Sequence, residues 1–167
     1  MNKPINTHSV PDLDAVFREF NIKISHLSRR MIDNEEIARE AAQETWLQIV
    51  RGIDTFRGES ELSTWIYSIA KRTIIRYAVN ERKYGQRALN EYFRQNPVVR
   101  PDFNEVEEKL WVKEICDKCL TAILHCLNNE DRLLFLLRDI LDVSYSQLVD
   151  IFDIEEQTLR KESPARE

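Results

Sequence analysis

The 167-residue sequence contains only 3 Gly and 5 Pro and is rich in Leu, Ile, Glu and Arg, so helix-favouring residues far outnumber turn-favouring ones. A hydrophobic content of 43% excludes a fully disordered chain, and no apolar run approaches the roughly 20 residues that cross a bilayer. Three cysteines argue against a disulfide framework and fit a reducing compartment. We therefore expect an all-α, cytoplasmic protein with no membrane insertion of its own.

The formal net charge of −5 is unevenly distributed. Residues 1–100 carry 16 Lys and Arg against 13 Asp and Glu, whereas residues 101–167 carry 8 against 16. Within residues 66–100 there are eight basic and only two acidic residues. This local excess predicts a surface that binds a polyanion such as nucleic acid.

Two amphipathic helices are predicted first, at about 12–31 and from Asp33 to about Ile53. Asp33 is the expected N-cap of the second helix, and Glu36 completes a capping-box pattern. Leu47 falls in the middle of the polar face of this helix, as an apolar anchor for a partner would. The predicted core positions are Leu13, Val16, Phe17, Phe20, Ile24, Leu27 and Met31, then Ala38, Ala42, Thr45, Trp46, Ile49 and Ile53.

A polar loop is predicted at 54–63, with a Ser at its end that could cap the next helix. The third helix is expected over about 64–83. Basic residues recur on it at steps of four and seven and form a stripe at Arg72, Arg76 and Lys83. Its predicted core face consists of Leu62, Trp65, Ile66, Ile69, Ala70, Thr73 and Tyr77.

Periodicity is lost over residues 84–104, which contain two prolines, so a domain boundary is expected there. We predict a first domain at 1–95, a linker at 96–104 and a second domain at 105–167. In the second domain, helices are expected at about 105–127 and 130–141. A short helix capped by Ser144, with Gln147 at the capping-box position, precedes a turn at Asp153-Ile154 and a last helix at 155–161. This order is typical of a helix-turn-helix.

Three segments resemble the extracytoplasmic-function (ECF) family of RNA polymerase sigma factors. AREAAQETWLQI at 38–49 resembles the polymerase-binding helix of that family. FRGESELSTWIYSIAKR at 56–72 resembles its loop and helix that read and melt the minus-ten element. RLLFLLRDILDVSYSQLVDIFDIEEQTLRK at 132–161 resembles its reader of the minus-thirty-five element. The similarity covers nearly the whole chain outside the linker.

The resemblance implies a sigma factor that binds core RNA polymerase, directs it to promoter DNA and is controlled by an anti-sigma factor. It implies neither a catalytic group nor a cofactor, since melting is driven by capture of the separated strand. The implied polymerase-binding residues are Glu36, Glu40, Gln43, Glu44 and Leu47. The implied DNA-binding residues are Arg57, Gly58, Glu59, Ser60, Trp65, Lys71, Arg72, Arg76, Arg82, Lys83, Gln157, Thr158, Arg160 and Lys161.

The sequence departs from the family pattern in three places. Arg39 and Glu40 lie where the family usually has Glu-Asp on the polymerase-binding helix. Arg72 and Arg76 replace a usual Asn and Asp on the minus-ten helix. Pro164 falls inside the expected recognition helix, where it removes a backbone donor at a cost of roughly 3 kcal/mol. We therefore expect a shortened recognition helix and weak binding to the minus-thirty-five element.

Alternatives remain for the function of the protein and for the role of its cysteines. The chain could be a helix-turn-helix regulator that acts alone on duplex DNA, or a sigma-like adaptor without full DNA binding. Cys116, Cys119, His125 and Cys126 could bind zinc or act as a redox pair, but inside an apolar helix the cysteines are expected to serve as small hydrophobic residues, with no metal bound. No group of residues fits a catalytic site, so we do not expect an enzyme.

Overall fold

The structure is a computed structural model that describes residues 11–80 and 126–157, together with 91, 94, 95, 109–112, 115, 116, 119, 120 and 124. These residues form helices and connecting turns, with no strand among them, which confirms the predicted all-α class. Two short 3-10 turns follow the second and third helices, and a π-helical turn extends the fourth. The helices are α1 (Leu13–Met31), α2 (Glu35–Gly52), α3 (Leu62–Tyr77), α4 (Asn129–Phe135) and α5 (Tyr145–Phe152), and the turns are Ile53–Thr55, Ala78–Asn80 and Leu136–Ile140.

The N-terminal ends of α2 and α5 show whether the predicted N-cap residues are correct. The α2 helix is capped by Asn34, whose Oδ1 accepts from the backbone N–H groups of Glu36 and Ile37 at 3.0 and 3.1 Å, so the prediction of Asp33 and its capping box was wrong. Asp and Asn cap equally well, and adjacent candidates cannot be separated by residue type. The capping box of Ser144 and Gln147 at α5 is confirmed.

The third helix begins at Leu62, slightly earlier than expected. Glu61 occupies its N-cap position and its side chain makes no capping hydrogen bond, so the predicted serine cap was wrong. The helix ends at Tyr77 and continues as the 3-10 turn to Asn80. The predicted extension to residue 83 lies outside the described residues.

Helices α1, α2 and α3 pack around a shared apolar core. The predicted core positions of α1 are buried, apart from Leu13, which is half-buried, and Phe17, which is 45% exposed. The Phe17 ring instead lies at the edge of the bundle against the ring of Trp46, with 4.8 Å between centroids. In α2, Ala41 is buried as well as the predicted residues, except for Trp46, which is only half-buried.

The α4 and α5 helices pack against α3, so α3 is covered from two directions. Its buried residues include Thr64, Tyr67 and Ile74, which lie outside the predicted core face. Of the predicted face, Leu62, Trp65 and Tyr77 are only half-buried. Buried residues of α4 and α5 belong to the same continuous core as those of α1–α3. The described parts of the two predicted domains are therefore packed together, and their boundaries remain a prediction.

The end of the chain is described in part. Asp153 adopts a left-handed conformation (φ 54°) that ends α5, at the position of the predicted turn. Ile140, at the end of the π-helical turn that extends α4, is 51% exposed. Most of the expected recognition helix and Pro164 lie outside the described residues, and the helix-turn-helix remains a prediction.

Candidate nucleic-acid interface and the neighbouring helix face

The outer face of α2 exposes the acidic and amide residues that the sequence singled out. Glu36, Glu40 and Gln43 are exposed, and Leu47 is 48% exposed among them. Val50 is 46% exposed at the next position of the same helical face, seven residues after Gln43. Sequence reasoning missed Val50, although the spacing that selected Leu47 also selects it. This α2 face therefore combines negative charge with two exposed apolar side chains.

Contacts from the end of α3 join it to this face. The Tyr77 hydroxyl donates to Glu40 Oε1 at 3.3 Å, and Arg76 Nη2 lies 3.8 Å from Glu44 Oε1. Glu44 is half-buried and also accepts from Gln48 Nε2 at 2.6 Å. Packing, and then the negative charge and hydrogen bond of Glu40, raise the pKa of Tyr77, so its hydroxyl remains a donor. The structure thus places Arg76 at the border between the α2 face and the cationic stripe.

The loop between α2 and α3 presents its polar residues to solvent. Arg57, Gly58 and Glu59 are exposed, and Ser60 is half-buried. Gly58 has φ 70°, a left-handed backbone conformation that residues other than Gly rarely adopt. Replacing Gly58 would therefore strain the loop at the point where its side chains turn outward.

An aromatic contact supports this loop. The Trp65 ring packs against Phe56 at the start of the loop, with 5.5 Å between centroids and 51° between planes. Its far edge lies so close to Gly52 that a Cβ there would be 3.1 Å from Trp65 Cζ2. Because Gly52 has no Cβ, the Trp65 ring can pack against its backbone, and Trp65 and Phe56 together form an aromatic floor under the loop.

The cations of α3 divide between two sides of the helix. Arg72 and Arg76 are exposed one turn apart, as the stripe requires. Lys71 instead points toward the second half of the chain: its Nζ lies 3.5 Å from Glu130 Oε2, 3.4 Å from the Ile151 carbonyl oxygen and 4.4 Å from the Phe152 ring centroid. The side chain of Lys71 is only 18% exposed. The structure therefore separates Lys71 from the stripe.

Of the remaining predicted DNA-binding residues, the structure describes only Gln157, which is exposed. The other positions, Arg82, Lys83, Thr158, Arg160 and Lys161, lie outside the described residues. Their place in the interface remains a prediction.

Sequence reasoning missed one buried charge. Arg132 is 1% exposed, and its guanidinium donates to the carbonyl oxygens of Met31 at 3.0 Å, Leu124 at 2.9 Å and Leu127 at 3.3 Å. It thereby ties the end of α1 to the segment before α4. In the sequence, Arg132 follows Glu130 and Asp131 and directly precedes the apolar run at 133–137, a position equally typical of an exposed cation, so local patterns carry no signal for its burial.

The described residues contain no group of His, Cys, Asp and Glu arranged to hold a metal ion. Cys116 is exposed, Cys119 and Cys126 are half-buried, and none of these three described cysteines is in a disulfide bond. Within the described part of the chain, no helix has the length and apolarity to span a membrane.

The segment that forms α1, α2, the loop and α3 matches a known protein family. Residues 16–84 match the model of sigma-70 region 2. This range contains both the α2 face and the loop with its cationic stripe, so the family match falls on the two surfaces that the geometry singles out.

Full-length relatives extend the similarity into the second half of the chain. RNA polymerase sigma factor YlaC of Bacillus subtilis is 24% identical over 139 residues, which cover 83% of this chain and 78% of that protein. The ECF RNA polymerase sigma-E factors of Haemophilus influenzae and Escherichia coli K12 are 26% and 25% identical, over 83% of this chain and 74% and 73% of theirs. Residues 16–84 therefore form a sigma-70 region 2, and over most of its length the chain is similar to ECF RNA polymerase sigma factors.

Proposed function

We propose that this protein is a sigma factor that binds core RNA polymerase through the α2 face and directs it to promoters through the α2–α3 loop and the stripe on α3. The observation that carries the proposal is the coincidence of the sigma-70 region 2 match with these two adjoining surfaces. Initiation by strand capture needs binding rather than chemistry, so the protein acts as a specificity subunit and not as an enzyme.

The α2 face supports polymerase binding because it has the composition of an interface core with a polar rim. Leu47 and Val50 are exposed apolar anchors, and Glu40 and Gln43 flank them. A lone helix of a soluble protein gains nothing by exposing two such anchors beside each other. A partner surface that covers them accounts for their exposure.

The loop and stripe support capture of a separated DNA strand. Single-strand binding combines a cationic track for phosphates with aromatic support for bases. Arg57, Arg72 and Arg76 supply exposed cations, and the floor formed by Trp65 and Phe56 holds the loop in place. The predicted contacts of Arg82 and Lys83 belong to the same proposal and extend the track.

The second half of the chain carries the remaining parts of the proposal. We assign minus-thirty-five contacts to Gln157, Thr158, Arg160 and Lys161 on the family resemblance. An anti-sigma factor is the proposed regulatory partner on the same ground. Since the polymerase and its promoters are cytoplasmic, we place the protein in the cytoplasm.

Run-off transcription with purified core polymerase tests the proposal. The wild type is expected to direct initiation, and the double variant Leu47→Asp/Gln43→Ala is expected to lose co-purification with core enzyme and all transcript. Its midpoint of urea unfolding should stay close to that of the wild type, because both side chains are exposed. The variant Ile22→Asp is a matched control, since Ile22 is 64% exposed on α1 and outside the proposed face. Retained transcription by the double variant would refute the docking face.

The cationic stripe has its own test. Replacing Arg72 and Arg76 with Ala should weaken binding of the holoenzyme to promoter DNA and reduce the slope of log K against log salt by about 0.7 to 0.9 for each phosphate that is no longer neutralised. Arg39→Ala is the control, because Arg39 is an exposed cation on α2. An unchanged slope in the Arg72/Arg76 variant would exclude phosphate binding by these residues.

A further inference from the structure

Three acidic residues of α2 form a row along the helix. Glu36, Glu40 and Glu44 follow one another at steps of four, so neighbouring carboxylates lie about one helical turn apart. Like charges at this spacing repel one another. Glu36 and Glu40 are also exposed, and a glutamate without a restraint samples many side-chain conformations. An unrestrained row of this kind would therefore be a poorly defined binding surface.

The end of α3 supplies a restraint for the middle of this row. The Tyr77 hydroxyl donates to Glu40 Oε1 at 3.3 Å, although the two residues are 37 positions apart in the sequence. The Tyr77 ring is half-buried and packs against the apolar core, and the Arg76 guanidinium lies 5.7 Å from the ring centroid. Because the ring is held by packing, its hydroxyl is a fixed donor for the flexible side chain of Glu40.

The next carboxylate of the row is held in a different way. Glu44 accepts from Gln48 Nε2 at 2.6 Å within α2 itself. Arg76 Nη2 lies 3.8 Å from Glu44 Oε1, and the Arg76 side chain is 63% exposed. An exposed ion pair at this distance contributes little. Of these two contacts from α3, that of Tyr77 is therefore the one expected to fix a carboxylate.

We propose that Tyr77 is a positioning residue for polymerase binding, whose hydroxyl holds the Glu40 carboxylate in the orientation that core polymerase binds. This inference rests on the proposed function, because Glu40 belongs to the proposed docking face. A side chain that is ordered before binding loses less conformational entropy on association. The hydrogen bond thus increases the affinity for polymerase through Glu40, and not through a contact of Tyr77 with the polymerase.

The variant Tyr77→Phe tests the inference, because it keeps the ring and removes only the hydroxyl. The measurement is fluorescence anisotropy of the full-length protein, labelled at its N-terminus and titrated with purified core polymerase. We expect the Kd to rise about three- to tenfold, since one more side chain must then be ordered on binding. The midpoint of urea unfolding should stay close to that of the wild type, because the lost hydrogen bond is exposed.

A double-mutant cycle shows whether the effect passes through Glu40. Glu40→Ala removes the carboxylate at an exposed helical position and should itself weaken binding to core polymerase. In the Glu40→Ala background, adding Tyr77→Phe should change the Kd by less than about twofold. The matched control is Tyr67→Phe, which removes a hydroxyl from the same helix at a ring that packs against Phe20 of α1. Its Kd should equal that of the wild type.

Run-off transcription separates polymerase binding from promoter melting. At a saturating concentration of Tyr77→Phe all of the core polymerase is bound, so the amount of transcript should reach the wild-type level. A transcript that stays low at saturation would overturn the inference, because Tyr77 would then act on promoter DNA rather than through Glu40.

Three results of the binding assay would also overturn it. These are an unchanged Kd for Tyr77→Phe, an equal rise in Kd with and without the Glu40 side chain, and wild-type affinity of the Glu40→Ala variant. In each case the proposed function stands if the wild type binds core polymerase and directs run-off transcription. Failure of the wild type in those two assays refutes the proposed function separately.

Discussion

The α1–α3 bundle and the α4–α5 unit are stabilised in different ways. The first three helices have 19, 18 and 16 residues, long enough to bury a continuous apolar stripe against one another. The α4 and α5 helices have only 7 and 8 residues, a length at which isolated helices are marginal in water. The bundle can therefore be stabilised by its own packing, whereas the α4–α5 unit depends on caps, on Arg132 and on the surface of α3.

That difference predicts which part of the molecule opens more readily. Elements that rely on a neighbour are the ones whose position a partner can change at moderate cost. If stability is divided in this way, substitutions that weaken the α4–α5 unit should increase local opening of that unit. Matched substitutions in the bundle should not.

Replacing Arg132 with Met should produce the largest loss. The substitution keeps the volume of the side-chain stem but leaves the carbonyls of Met31, Leu124 and Leu127 without this donor. We expect a loss of about 3 kcal/mol in the free energy of unfolding, measured by urea denaturation. Hydrogen exchange should quicken more in α4 and α5 than in α2.

Arg39→Met is the control for this measurement. Arg39 is 62% exposed and pairs only loosely with Glu35 at 3.8 Å, so its loss should change stability by less than about 0.5 kcal/mol. Equal effects of the two substitutions would mean that Arg132 does not hold the α4–α5 unit to the bundle.

Tyr67 gives the bundle a dependence on alkaline pH. Burial, and then the charge of Glu19, raise the pKa of Tyr67 to about 12. Below pH 10 the phenol is neutral in both states, but as the pH rises toward 12 it ionises first in the unfolded chain, so the folded state loses stability. We expect about 2 kcal/mol of this loss to disappear in Tyr67→Phe, measured by urea denaturation between pH 9 and 12.

The quantity to compare is the difference in free energy of unfolding between variant and wild type at each pH, because lysines titrate over the same pH range in both proteins. Tyr145→Phe, at an exposed tyrosine on α5, should retain the alkaline loss. A Tyr67→Phe variant with an unchanged pH dependence would show that the phenol is not the group responsible.

The helix caps should show the smallest effects and the clearest regional contrast. Ser144→Ala removes the cap of α5 and Asn34→Ala removes that of α2, each at a cost of about 1 kcal/mol. In the short α5 the loss should appear as local opening by hydrogen exchange, whereas in α2 it should lower only the global free energy of unfolding. Identical exchange patterns in the two variants would contradict the regional difference.

Local sequence patterns were sufficient for much of the fold. Helical spacing identified α1, α2, α3 and α5, and it identified the exposed position of Leu47. The errors lie where local signals are degenerate. Asp33 and Asn34 are equally good caps, and Phe17 sits at the edge of an apolar stripe, where a neighbouring helix decides whether it is covered.

The sequence by itself determined the helical class, the family resemblance and the polar face of α2, because each depends on residues a few positions apart. Only the tertiary structure decided that Lys71 faces α5 and that α3 is covered from two directions. The contacts of Lys71 with Ile151 and of Arg132 with Met31 join residues 80 and 101 positions apart. Periodicity within one helix shows which side is apolar, but it cannot show which distant segment packs there, since that choice depends on the combined shape and charge of both surfaces.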